Sequence, residues 1–268
     1  MGPLGCERGG RNLRRALGPV KHGRDAARIA LRSLLVQGSW NYRDLLGSGS
    51  LWVILPLIRQ ASQDGSTLPE ELVGTFNGHP AVLPAGLGAQ VTLVREGALL
   101  DRILPLRSAL SGPLGSLGDG FFWGALRPLI LVGIILAGTL GVPPLVALLV
   151  GGIAYNWVHL RTRYRCAAVG LERGIHVGGG LRDLALAQRA EELGRLGVVV
   201  IGALLGVGVA ALIRTPEGSS IAFPVLAGLG VTLVLSFRRG THPSWLPGLL
   251  LGTLVLGALG LGALVAGP

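Results

Sequence analysis

Lysine is nearly absent from this chain: of its 24 basic residues only Lys21 is a lysine, and the others are arginine. With 45 glycines beside them, that skew reads as a compositional bias and lowers the weight any single arginine carries. Charge of either sign is scarce at 14%, against roughly 25% in an average soluble domain, which argues against an ordinary soluble domain. Cysteine is reduced to Cys6 and Cys166, both in basic segments and neither at metal-ligand spacing. Two such thiols build no disulfide framework and no metal centre, so both read as inert. The glycine-rich motifs lack the Lys-Ser/Thr of a phosphate-binding loop, and no cofactor site is expected. The formal charge of +10 comes without any basic-aromatic module, so nucleic acid is not an expected partner. The basic N-terminal stretch lacks the apolar segment and small-residue cleavage site of a secretory signal.

What is present is apolar. Half of the 268 residues are hydrophobic, and the arginines gather in loops beside apolar runs, as positive-inside bias requires. Residues 1–28 read as a flexible basic leader on the cytoplasmic side. From 29 to 71, apolar residues at helical spacing (Ile29, Leu31, Leu34, Leu35, then Leu45, Leu46, Leu51) predict amphipathic helices, interfacial or packed on a partner, followed by a polar linker at 60–70. Leu72 to Val94 contains no charged residue yet carries Asn77, His79, Pro80 and Pro84. Broken or re-entrant helices against a protected cavity accommodate such residues, because irregular backbone at membrane depth keeps its hydrogen bonds only there. The stretch 111–130 has the same character, and together 72–130 predict re-entrant core hairpins. Gly112, Pro113, Gly115 and Gly118 are expected to supply their turns.

Pro128 to Val158 is charge-free but cut by Gly-Val-Pro-Pro at 141–144, which predicts two half-helices or a hairpin over 131–160. Residues 161–195 hold seven arginines and four acids and are placed in the cytoplasm, with 181–195 as an amphipathic helix. Leu196 to Ile213, Gly218 to Phe237 and Thr241 to Pro268 are near the ~20 residues a bilayer requires, and the C-terminus is expected outside. The expected fold is thus an all-α integral membrane protein with several transmembrane helices, broken helical hairpins and interfacial amphipathic helices.

Four blocks carry a resemblance: LRSLLVQGSWNY (31–42), FNGHP (76–80), SGPLGSLGDGFFWGALRP (111–128) and NWVHLRTRY (156–164). In order and spacing they are similar to the IID component of the mannose, fructose and sorbose family of phosphotransferase sugar permeases. The resemblance runs from about residue 30 to the C-terminus. It implies a membrane subunit paired with a IIC subunit, cytoplasmic IIA and IIB components that carry the phosphate, a hexose as cargo and a trimeric assembly. It also implies a mobile domain that works against a fixed scaffold. On that pattern the chain has no phosphorylation site of its own and none of its histidines is phosphorylated. Two departures stand out: Arg95-Glu96 replaces an acidic pair, and the tyrosine-rich stretch after Arg163-Tyr164 is reduced. They motivate an alternative, a non-transporting membrane scaffold or regulator derived from such a permease.

Sugars present hydroxyls around apolar C–H faces, so their sites combine planar polar groups with an aromatic plate. Asp119, Trp123 and Arg127 recur at four-residue steps and share one face if helical. About 12 Å of helix separates Asp119 from Arg127, too far for a direct ion pair. Asp119 reads equally as the cap of a helix beginning at Phe121. Arg127 reads also as a helix end at the cytoplasmic interface, and Trp123 as a packing residue. Gln37, Asn41 and Asn77 complete the candidate sugar contacts, with amide bridging of backbone breaks as the competing role. Asn156, Arg163 and Tyr164 are expected to anchor the membrane boundary.

Overall fold

The computed structural model describes residues 22–61, 70–98 and 100–213. Most of the expected leader and linker, and the apolar segments 218–237 and 241–268, lie outside the described residues. In chain order the elements are α1 (His22–Arg32), a 3₁₀ turn (Ser33–Ser39), α2 (Gly47–Ala61), a 3₁₀ turn (Glu70–Val73), α3 (Pro84–Arg95) and α4 (Leu100–Gly118). There follow a π-helical segment (Asp119–Leu126), α5 (Arg127–Thr139), α6 (Pro144–Arg173), a 3₁₀ turn (Gly174–His176), α7 (Val177–Asp183) and α8 (Leu186–Ile213). Extended structure among the described residues is limited to isolated bridges, Asn41 with Leu45 and Leu45 with Phe76. The all-α class holds. The chain divides into two compact units, Met1–Asp119 with Trp157–Leu186, and Gly120–Asn156 with Ala187–Pro268.

The first unit is built around α3. Every residue from Ala81 to Val91 is buried, so the charge-free, proline-marked stretch is a core helix with an irregular lead-in rather than a lipid-facing span. Each fully buried leucine or phenylalanine here stabilises the unit by about 1.5–3 kcal/mol. α1 presents Ala26, Ile29 and Ala30 inward, and Ser33 continues that face at the start of the 3₁₀ turn. Asp25 pairs with Arg95 of α3 at 2.8 Å. Helix α1 therefore begins, at His22, inside the segment expected as flexible leader. In α2, Pro56 has no N–H to donate to the carbonyl of Trp52, one helical turn back. Arg32 supplies the missing donor, with Nη2 on Trp52 O and Nε on Val53 O at 3.1 Å. Where α3 crosses α6, a Cβ at Gly170 would overlap the carbonyl of Ala85, and one at Gly88 would lie 2.6 Å from that of Ala167. Thr92 Oγ1 closes the same crossing by donating to Leu171 O at 2.8 Å.

In the second unit α5 has no buried residue. The turn at 140–143 reverses the chain with Gly141 at φ +91°, a left-handed conformation that favours glycine, and Ile134 then lies against Gly151 of α6. The hairpin alternative for this stretch is the one that forms. The helical run Leu100–Thr139, 40 residues long, is apolar enough to cross a membrane by length and composition, yet only 22% of its most apolar stretch is buried. That surface is left for lipid or a partner.

Two expectations fail. Residues 111–118 are helical, so Gly112, Pro113, Gly115 and Gly118 form no turn. Gly118 is required instead by close approach, since any Cβ there would overlap His79. The expected helix 181–195 is interrupted where Ala185 takes φ +51°, and residues 186–195 continue into the apolar run of α8.

Candidate functional site

In the first unit the sequence motifs converge on the loop 74–83. Asn41 closes a side-chain turn: its Oδ1 accepts from Arg43 N (2.8 Å) and Asp44 N (3.1 Å), and its Nδ2 donates to Ser39 O (3.1 Å) and to Asp44 Oδ1. That turn is stitched to the next motif by backbone, because Phe76 N donates to Asp44 O (3.2 Å) and Leu46 N to Phe76 O (2.9 Å). Leu45, between them, is held at φ +56°, a conformation costly for leucine and stabilised here by pairing on both sides. Asn77 follows at once. Its backbone exchanges hydrogen bonds with Ser111 Oγ of α4 (3.0 and 3.3 Å), which leaves its exposed side chain unengaged among the described residues. His79 N donates to Leu114 O, and the His79 ring packs over Gly118. The loop thus runs along α4 to the residue before Asp119.

Asp119 is exposed and has no hydrogen bond or ion pair to a described residue. Because α4 runs into the π segment without a break, no helix starts there and the capping role disappears. In the second unit, Trp123 and Arg127 meet, the guanidinium lying 4.6 Å from the ring centroid. Both are exposed, so the plate and its cation form a surface element. The π segment covers the residues Asp119–Leu126 of the longest motif, and widened turns of this kind recur at functional sites. Gln37 is exposed in the 3₁₀ turn after α1, and its side chain has no partner among the described residues. The structure therefore joins Asn41 to the Asn77 loop within the first unit and Trp123 to Arg127 within the second.

Two arginines differ from expectation. Arg163 is not a boundary anchor but is buried, donating from Nη1 to Ser33 O (2.6 Å) and Ser33 Oγ (2.8 Å) and from Nε to His159 Nδ1 (3.2 Å). The His159 ring stands edge-on to His79 at 6.0 Å, and His79 Nδ1 accepts from Ala81 N. Arg107 drew no attention in the sequence, yet it is only 3% exposed. It donates to Gln90 Oε1 (3.1 Å) and Gly74 O (2.7 Å) and stacks on Phe76 at 4.5 Å. Its Nε has no partner among the described residues. This guanidinium pins the loop that presents Asn77. Asn156 and Tyr164 are exposed, Asn156 donating to Gly152 O at 2.8 Å. Burial pushes the Cys166 thiol up to about 12, so it stays protonated and unreactive. No group of three or more His, Cys, Asp or Glu residues able to hold a metal occurs among the described residues.

Comparison with known proteins decides the family. Residues 22–221 match the mannose/fructose/sorbose family IID component of the phosphotransferase system. The chain belongs to the IID family. The mannose-specific EIID component of Escherichia coli K12 is 32% identical over 197 residues, covering 68% of this chain and 66% of that relative. The sorbose-specific EIID component of Klebsiella pneumoniae is 27% identical over 255 residues, covering 83% of this chain and 90% of the relative. Among solved structures, the mannose transporter ManYZ in complex with microcin E492 is similar with a TM-score of 0.50 and 26% identity, over 89% of this chain and 95% of that one. A second structure, described as a membrane protein, shares the fold with a TM-score of 0.58 at 24% identity. The match spans just under two thirds of the E. coli mannose relative. This IID chain is a membrane protein, and the four blocks that suggested the family all fall within the matched residues.

Proposed function

We infer that this chain is a membrane subunit of a phosphoenolpyruvate-dependent mannose-family permease and forms the sugar path together with a IIC subunit. The observation that carries the reading is Asp119, exposed and without a partner among the described residues, within a helical run apolar enough to span a bilayer. A carboxylate at the centre of a membrane helix costs about 2.5–3.5 kcal/mol on insertion scales, so it is retained where water, cargo or a partner subunit meets it. Family membership and the similarity to a mannose transporter support the same reading. In the first unit Asp119 and the Asn77 amide would bind sugar hydroxyls, with Gln37 and Asn41 as further polar candidates, and in the second Trp123 backed by Arg127 would offer an apolar plate to a C–H face. IIA and IIB components in the cytoplasm would carry the phosphate, IIB passing it to the arriving hexose, and IIC–IID pairs would assemble as a trimer. The chain would cross the inner membrane several times, with the basic 161–195 segment and the N-terminus in the cytoplasm and the C-terminus outside.

The test is uptake of radiolabelled hexose in cells expressing this chain with its IIC neighbour. Asp119→Ala is expected to reduce uptake at least tenfold while the protein still assembles in the membrane. Unchanged uptake removes Asp119 from the path, and absence of uptake in the unaltered pair points to the scaffold alternative.

A further inference from the structure

Helix α1 divides cleanly into two faces. Ala26, Ile29 and Ala30 are buried, while Arg24, Arg28 and Leu31, at the same helical spacing, point outward. Arg24, Ala27, Arg28, Leu31 and Arg32 form one wall of an open groove of about 550 Å³, and Pro56 of α2 faces them. Three arginines on so small a perimeter would repel one another unless an anion lay among them. The acid of this helix does not relieve them, since Asp25 is turned to Arg95 on the inner side. Arg24 and Arg28 have no hydrogen bond or ion pair to a described residue. Arg32 closes the groove, fixed by the Trp52 and Val53 carbonyls and stacked 3.8 Å above the exposed Trp52 ring.

The lining between the arginines is not polar. Ala27, Leu31 and Pro56 give it an apolar floor; Leu31 is 63% exposed, and Leu35, four residues further along the chain, is 67% exposed. A guanidinium rim over an apolar floor, with an amphipathic tryptophan at its end, complements a ligand that is anionic at one end and hydrocarbon at the other. A free anion would leave the leucines bare, and an acidic peptide would not use them together with an interfacial tryptophan.

We propose that this groove binds an anionic phospholipid, with the headgroup phosphate between Arg24 and Arg28 and the start of an acyl chain over Ala27, Leu31 and Pro56. The site is independent of the sugar path and rests only on the chain being a membrane protein. Binding there fixes α1 and α2 at the leaflet surface.

Native mass spectrometry of the full chain in mild detergent tests this, with phosphatidylglycerol and phosphatidylcholine of identical acyl chains and inorganic phosphate as probes. A basic residue beside anionic lipid is worth about fivefold in binding, so Arg24→Gln with Arg28→Gln lowers phosphatidylglycerol affinity roughly 30-fold and leaves phosphatidylcholine unchanged. Replacing both by lysine keeps most of the preference, and Leu31→Ser weakens both lipids. Both arginines are exposed, so the elution profile of the double variant stays that of the parent. Equal binding of the two lipids, or an unaltered preference in the double glutamine variant, overturns the proposal. So does full competition by inorganic phosphate, which marks a free-anion site. So does a double variant that loses an acidic cytosolic subunit while keeping its lipid.

Discussion

The two units treat their apolar residues in opposite ways. In the first, α3 is buried from Pro84 to Val91 and at Leu93, and the charges inside are clamped: Arg107 by Gln90 and Gly74, Arg163 by Ser33 and His159. In the second, α5 buries nothing, and Leu131, Ile135, Leu145, Leu149 and Ile153 are at least half exposed. Buried guanidinium groups held by carbonyl, amide and imidazole acceptors depend on dipoles whose loss is costly. Exposed aliphatic faces in a membrane protein cost nothing when lipid or another subunit covers them. The first unit therefore buries its apolar residues in its own contacts, and the described helices of the second leave theirs exposed.

The comparison breaks most readily at Arg107. Arg107→Ala leaves Gln90 Oε1 and Gly74 O without their donor and, at about 1–3 kcal/mol for each unsatisfied acceptor, is expected to destabilise the protein by about 2–6 kcal/mol, read as a fall in the thermal midpoint in detergent. A change below about 1 kcal/mol would show that the first unit does not depend on its internal polar clamps. Leu149→Arg probes the second unit. Leu149 is 56% exposed, so the substitution disturbs little within the chain but is expected to cost about 3 kcal/mol of insertion, seen as a smaller membrane-integrated fraction. Normal integration would mean that this face meets water. The smallest effect is at Asn41, where Asn41→Ala removes the side-chain turn for about 1 kcal/mol. A much larger loss would assign the amide a role beyond its local turn.

What the sequence made legible follows the same division. Local signals were readable: the Gly-Val-Pro-Pro reversal, the irregular lead-in to α3, and the four family blocks, whereas the buried face of α1 was not, since Leu31, Leu34 and Leu35 are exposed and Ala26, Ile29 and Ala30 face inward. Signals that depend on distant partners were not. Arg107 lies in an unremarkable helical stretch, and only Gly74 and Phe76, brought back by the loop, make it a clamp. Arg163 looked like a boundary residue because its partner Ser33 is 130 positions away. Gly118 suggested a turn because the sequence does not reveal that His79 occupies the space of a side chain. The widened π turns at Asp119–Leu126 leave no periodic signature that an α-helical reading detects.

The central claim is that Asp119 faces an aqueous sugar path while the aliphatic face of α5 faces hydrocarbon or a subunit. Single cysteines at Asp119→Cys and Leu131→Cys, in a background with Cys6→Ser and Cys166→Ser, can be exposed to a membrane-impermeant maleimide in cells carrying the IIC partner. The account predicts rapid labelling at 119, slowed by the transported hexose, and resistance at 131. Labelling at 131 with protection at 119 that no sugar alters would contradict it.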